Sequence, residues 1–396
     1  MTLVDRWLLP DGVEEILPLE AHKLESLRRA LLDLYGSWGY QFVITPLIEY
    51  LDSLLVGSSH DLDLHTFKIT DQLSGRMMGI RADITPQVAR IDAHCLNREG
   101  PARLCYADSV LHTKPRGLTT SRVPIRIGAE LYGHSGIECD VELICLMYES
   151  LSLVEIGNIH IVLGHVGIFR TLIQESGINS ETEKLLFEAV QRKAYEEIDA
   201  LLEKSVLDKN LQQMLHQLSR LSGDEDTLAT ALEVFKSAPA SVKSELEELE
   251  AIANGVKQRL PEVVLCYDLC ELTGYEYHTG IVFAAYTPDY GRVVAKGGRY
   301  DDIGLVFGRA RPASGFDSDL KTLARLTKKS FAMKSAICAP DKADQDLIEL
   351  INTLRSEGEC VVVNFAESGL DEEAAKELNC DRQIVKRDGG WVVENI

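Results

Sequence analysis

Three short segments carry side chains able to hold or transform a small polar ligand. The first, Arg81-Ala82-Asp83-Ile84-Thr85-Pro86-Gln87-Val88-Ala89-Arg90, sets a carboxylate and a hydroxyl between two guanidiniums. It reads as a strand entering a helix, with Asp83 or Thr85 as cap and Pro86 near the first turn. A cap with flanking surface arginines and a polar binding edge both fit that pattern. The second, Cys270 to Phe283, brackets Tyr275, Glu276, Tyr277, His278 and Thr279 between Gly274 and Gly280, before an apolar run. Phenol, carboxylate and imidazole together match the donors and acceptors of a small polar ligand. The two tyrosines alone read equally as cross-strand packing. If the stretch is extended, Tyr275, Tyr277 and Thr279 share one face and Glu276 and His278 the other, so only one set faces a pocket. The third, Gly297-Gly298-Arg299-Tyr300-Asp301-Asp302, is a turn in which glycine permits close backbone approach. It lacks the spacing of a phosphate loop, and no G-x-G-x-x-G leads into a helix.

Metal chemistry has little support. Cys139 with Cys145, or Cys266 with Cys270, are the closest approach to a metal pattern, and neither has a His/Cys cluster at zinc-finger spacing. The nine cysteines read as buried or free thiols rather than a disulfide framework.

These segments need elements to position them. Leu19, Leu24, Leu27, Leu31, Leu32 and Leu34 recur at helical spacing after Pro18 and Glu20, predicting a helix over 19–38. Gly39-Tyr40 ends it, and Gln41 to Thr45 reads as a strand stopped by Pro46. Further strands are expected at Phe67–Thr70, Arg76–Ile80, Ala102–Ala107, Pro124–Tyr132 and Ile159–Leu163, with helices near 85–98, 139–155 and 166–176. That order, without regular βαβ alternation, predicts an α+β architecture on a mostly antiparallel sheet. Residues 181 to about 260 show no strand run and read as a helical insertion. Strands return at Val263–Asp268, Ile281–Ala285 and Gly291–Lys296. A boundary near Lys328-Lys329-Ser330 divides a domain of residues 1–328 from a small α/β domain of residues 329–396, with strands at Ser335–Cys338, Cys360–Phe365 and Trp391–Glu394.

Composition narrows the function classes. With 396 residues, 45% hydrophobic and 26% charged, the chain is neither disordered nor fibrous. A formal net charge of −21 repels phosphate backbones, which argues against tRNA or DNA as partner. Met1 to Trp7 has charge but no apolar leader core, and no apolar run approaches a membrane span, so a soluble cytoplasmic protein is expected.

Taken together, the segments resemble the catalytic core of histidyl-tRNA synthetases, a class II synthetase fold, from about residue 5 to residue 326. Gly39 to Pro46 with Glu49 looks like the motif 1 dimer segment, and Arg81 to Arg90 like the family's Arg-Pro-Glu-Gly-Thr segment. Tyr275 to Phe283 looks like its histidine-specific segment, and Gly297 to Asp301 like its Gly-Gly-Arg-Tyr-Asp. The resemblance implies an antiparallel sheet flanked by helices and a histidine pocket. Asp83 and Thr85 match the residues that hold the ligand's ammonium, and Glu130 the one that pairs with the imidazole. His278 matches a tyrosine on the ring, with Tyr277 and Tyr300 as neighbouring aromatics. Arg126 stands in place of a glutamine near the ammonium, and offers an alternative place for the ligand carboxylate.

The departures decide what the resemblance means. His112 stands at the motif 2 arginine and Lys114 at its glutamate. Thr322 stands at the motif 3 arginine with Asp319 at a glycine, and Thr273 at the arginine that opens the histidine-specific segment. Each lost guanidinium removes a bidentate phosphate clamp that threonine cannot replace, and histidine, with a pKa near 6.5, replaces poorly at neutral pH. A synthetase-like core without these groups, carrying a short C-terminal part, resembles the regulatory subunits of ATP phosphoribosyltransferase. That resemblance implies a non-catalytic protein without cofactor or metal, which supports a short catalytic subunit in the first step of histidine biosynthesis. It also implies self-dimers, a hetero-octamer of four plus four subunits, and feedback by L-histidine. An active synthetase-like enzyme and a stand-alone amino-acid sensor or scaffold are the competing readings. Co-purification of a small phosphoribosyltransferase separates them.

Overall fold

The computed structural model describes residues 8–55, 60–115, 121–205, 208–272, 274–275, 277–366 and 370–396. The chain divides into two compact units, Met1–Lys329 and Ser330–Ile396.

The first unit is built on a nine-stranded sheet among the described residues. Its spatial order is Gln41–Phe42, Ala102–Ser109, Ile125–Tyr132, Ala313–Asp319, Val293–Arg299, Ile281–Tyr286, His160–His165, Val264–Asp268 and Ser222–Gly223. Only Gln41–Phe42 with Ala102–Ser109, and His160–His165 with Val264–Asp268, pair in parallel. The other pairings are antiparallel, giving the α+β class II architecture. The strand expected over Gln41–Thr45 is cut short. Val43 still donates to the Cys105 carbonyl at 2.9 Å, but the chain then leaves the sheet toward Pro46, which has no N–H to contribute.

Helices cover one face of this sheet. Pro18–Ser37 starts with Pro18 in its first turn and turns Leu24, Leu27, Leu31 and Tyr35 inward, one stripe at helical spacing. Glu138–Leu153 and Val166–Ser176 pack beside Ala240–Arg259, whose Val242, Leu246, Leu249, Ile252 and Val256 are buried. The stretch expected to be helical throughout contains Ser180–Gln191, Tyr195–Lys204, Lys209–Leu218, Asp226–Val234 and Ala240–Arg259. It also contributes Ser222–Gly223 to the sheet edge, a pair too short to leave an alternating signal.

The strand Ala313–Asp319 has no counterpart in the sequence reading, yet it lies near the middle of the sheet. Its Ser, Gly and Asp residues have low strand preference; pairing on both sides holds it extended. A satellite sheet of Ile48–Tyr50, Met77–Ile80 and Phe67–Thr70 leads into the Arg81 segment. No described helix is long and apolar enough to cross a membrane.

The second unit is a four-stranded sheet ordered Val361–Asn364, Ala336–Pro340, Cys380–Arg387 and Gly390–Asn395, with a core of Ile337, Ala339, Leu347, Ile351, Val361 and Ile384. Asp344 and Asp371 cap its helices Gln345–Ser356 and Glu372–Glu377. Cys380–Arg387 was not expected as a strand, because Asp381, Arg382, Gln383, Lys386 and Arg387 surround a single buried Ile384.

Candidate functional site

A floor of glycines marks one face of the large sheet. Gly315 lies opposite Glu130 on one side and Gly298 on the other, while Gly128 lies opposite Tyr106. A Cβ at Gly315 would stand 1.7 Å from Glu130 Oε2 and 2.2 Å from the Tyr300 hydroxyl. One at Gly128 would stand 2.7 Å from the Tyr106 hydroxyl, and one at Gly298 would stand 2.8 Å from His278 Nε2. Glycine is therefore required for these four polar side chains to lie flat across the strands.

Glu130 sits at the centre and is 1% exposed. Its Oε1 accepts from the Thr85 hydroxyl at 2.8 Å and from Tyr106 at 3.2 Å. Its Oε2 has no hydrogen-bond partner among the described residues, nor does the buried Tyr300 hydroxyl beside it. Thr85 opens the short helix Thr85–Arg90, and Tyr300 follows the strand Val293–Arg299. Tyr300 packs with Ile84, Val88, Leu104 and Tyr106 in one apolar cluster.

The surroundings are acidic. Burial, together with Asp83 and Asp317, pushes the Glu130 carboxyl well above the usual carboxylate range, against the two hydroxyl donors. Burial and the same carboxylates, with Glu130, raise the Tyr106 phenol. Arg126, 3.4 Å from Asp317, keeps its charge firmly: burial opposes it, but Asp317, Asp83 and Asp319 more than offset that. Asp83 accepts from the following backbone N–H of Ile84 at 2.7 Å. Sequence reading did not single out Tyr106 or Asp317 as site residues. The signal that could have found Asp317 is the alternation Ala313, Gly315, Asp317, Asp319, which puts it on the same face as Gly315.

The described residues between 270 and 280 are coiled rather than extended, so the condition for a division into two faces is not met. Gly274, with φ of +75°, accepts from the N–H groups of both Tyr277 and His278, and Arg170 donates to the carbonyls of Tyr275 and His278. His278 is buried and its ring centroid lies 4.3 Å from Tyr277 and 6.2 Å from Tyr300. Tyr277 forms the rim and is 40% exposed. Tyr275 turns away, into contact with Phe169 and Phe187. Glu276 and Thr273 lie outside the described residues.

At the positions where the resemblance calls for phosphate clamps, the side chains serve the fold. His112 is buried, with Nε2 3.0 Å from the Ala82 carbonyl oxygen. Thr322 donates to Asp319 at 2.9 Å, and Asp319 caps the helix Leu320–Leu326 and accepts from the Ile125 N–H. Lys114 is exposed. Nearby guanidiniums are committed elsewhere. Arg81 donates to Ser109 O and to both oxygens of Thr45 and pairs with Asp108, while Arg90 pairs with Glu49. Among the described residues, no cluster of three or more His, Cys, Asp or Glu has a metal-binding arrangement. The site can hold a small cationic or zwitterionic molecule, and it is poorly built for a polyphosphate.

The comparisons agree with this division between fold and chemistry. A family model described as histidyl-tRNA synthetase matches residues 12–323, and one described as ATP phosphoribosyltransferase subunit HisZ C-terminal domain matches residues 334–394. A protein from Ectopseudomonas mendocina (strain ymp) called ATP phosphoribosyltransferase regulatory subunit is 54% identical over 395 residues, 99% of each chain. Its namesake from Pseudomonas aeruginosa (strain LESB58) is 52% identical over 394 residues, again 99% of each. Among solved structures, an ATP phosphoribosyltransferase regulatory subunit/histidyl-tRNA synthetase from Bacillus halodurans C is similar with TM-score 0.84 and 24% identity, over 97% of this chain and 99% of that one. Histidyl-tRNA synthetase from Nostoc sp. PCC 7120 has TM-score 0.78 and 20% identity, over 96% and 91%. These two likenesses concern the fold. On full-length identity and on its C-terminal unit, the chain belongs to the ATP phosphoribosyltransferase regulatory subunits, a family carried on the histidyl-tRNA synthetase fold.

Proposed function

We propose that this non-catalytic chain assembles with a separately encoded short catalytic subunit, supports its condensation of ATP with phosphoribosyl pyrophosphate, and reports L-histidine to it. Histidine lies over Gly315 in this reading. Its imidazole meets Glu130 and Tyr300 beside His278 and Tyr277, its ammonium lies near Asp83 and Thr85, and its carboxylate pairs with Arg126. The observation that carries the reading is Glu130: a buried carboxyl with an unpartnered oxygen, next to further carboxylates, asks for a ligand with N–H groups and positive charge. Tight binding is not sufficient for feedback. The ligand must bind the inhibited state of the complex better than the active one.

The decisive experiment is phosphoribosyltransferase turnover by the catalytic subunit with and without this protein, across a histidine titration. Turnover and histidine sensitivity both unchanged by its addition would end the regulatory assignment. Histidine-dependent ATP–pyrophosphate exchange by the isolated protein would instead point to an active synthetase.

Self-association belongs to the same reading. Phe42, Ile44, Leu47 and Ile48, in and just after the motif 1-like segment, are 45%, 73%, 51% and 45% exposed, a run of apolar surface suited to a second copy. Dimers then bring two catalytic subunits each into a cytoplasmic four-plus-four complex. Light scattering should give twice the 44.0 kDa chain mass for the protein alone. A stable monomer across micromolar concentrations would exclude the dimer.

A further inference from the structure

The charge state of Glu130 is a separate matter from which ligand it meets. It is faced by Thr85 and Asp83 from the helix start, Tyr106 from Ala102–Ser109, and Tyr132 from its own strand, on the same face of which Arg126 also lies. Asp317 faces it from Ala313–Asp319, Tyr300 from the end of Val293–Arg299, and His278 lies near Tyr300. Arg126 pairs with Asp317, and Lys296 lies in register with Asp317 on the neighbouring strand. Glu130 has no ion pair among the described residues. Two carboxylates near a buried third favour keeping a proton on it.

We propose that the free protein stores a proton on Glu130, and that histidine takes this proton onto its imidazole when it binds. The O–H bond at Glu130 Oε2 breaks, an N–H bond forms on the imidazole, and the bound pair is carboxylate and imidazolium. The proposal rests on the histidine reading above. Three features drive the transfer. Oε1 already accepts hydroxyl donors from Thr85 and Tyr106. The Tyr300 hydroxyl stands beside Oε2, within reach as a third. Such donors favour the ionised carboxyl once a cation is next to it. The same carboxylates, Asp83 and Asp317, that hold a proton on Glu130 also stabilise an imidazolium in its place. The site's net charge is unchanged by the transfer, so no proton need cross from solvent.

Two measurements on the full-length protein test this near pH 8, where free histidine carries a neutral imidazole. Nitrogen NMR of imidazole-labelled histidine reads the bound ring, and titration calorimetry in buffers of different ionisation heat counts protons exchanged. The expected result is an imidazolium spectrum with binding heat independent of buffer. In Glu130→Gln, whose amide keeps the shape and has no acidic proton, the ring that still binds should be neutral. A neutral bound ring in the natural protein overturns the transfer, and so does an imidazolium accompanied by uptake of a proton from buffer. Absence of any histidine binding overturns the histidine reading itself, and with it this proposal.

Discussion

Two buried carboxyls occupy opposite faces of the same central sheet, and they are treated differently. On the helix-covered face Asp140 is 0% exposed; one oxygen accepts from Arg299 and the other from Ser314 at 2.6 Å. On the glycine face Glu130 is equally buried, accepts hydroxyl donors on one oxygen, and leaves the other without a partner. Ser314 and Gly315 are adjacent in one strand, so alternation sends one residue to each network. Burial raises both carboxyls; at Asp140 the pull of Arg299 opposes it, whereas at Glu130 Asp83 and Asp317 add to it. A closed ion pair defines the fold. An open carboxyl lowers the stability of the protein alone and is retained where a ligand completes it.

The comparison breaks most visibly at the closed side. Asp140→Ala leaves the Arg299 guanidinium buried without its carboxylate and should cost about 3–5 kcal/mol in urea unfolding. A loss under about 1 kcal/mol would mean that the pair is no more than a surface ion pair in effect. At the open side, Gly315→Ala drives a methyl into Glu130 Oε2 and the Tyr300 hydroxyl. Histidine inhibition of the assembled complex should weaken on the order of 100-fold, about 2.8 kcal/mol, with light scattering showing assembly intact. Inhibition within about threefold of the natural protein would place the effector elsewhere.

The smallest effect is a pH slope. Because the folded-state carboxyl of Glu130 titrates above the unfolded value near 4.3, the folded protein holds a proton that the unfolded chain has lost. Its contribution to stability is full below that unfolded value and is lost as pH rises through the folded one, at about 1.4 kcal/mol per pH unit. Glu130→Gln removes this term. Its stability relative to the natural protein should therefore improve between about pH 5 and pH 7. A difference that stays constant over that range would show that Glu130 ionises at its ordinary pH.

Legibility in the sequence followed the strength of local patterning. The Pro18–Ser37 helix was visible in its leucines, and Ile125–Tyr132 and Ile281–Tyr286 in their apolar content. Ala313–Asp319 was not, since a strand of Ser, Gly and Asp resembles a loop until two neighbours pair with it. Asp317 and Tyr106 went unrecognised as site residues for a related reason. Each meets Glu130 across strands that are distant in sequence, and no local spacing records that. Whether the stretch around Gly274 is extended was left open by its residue types; the turn in which Tyr277 and His278 donate to the Gly274 carbonyl settles it.

The sequence by itself determined the fold class, the family and the absence of the synthetase arginines, because those depend on which residue types are present. An arginine that is absent cannot clamp a phosphate in any conformation. Tertiary structure alone decided that His112 and Thr322 are spent on the fold, that Arg126 is paired to Asp317, and that Glu130 is buried with one oxygen free of partners. Charge state and hydrogen-bond satisfaction depend on distances between strands brought together only by folding, and Coulomb energy in a buried site changes steeply with those distances.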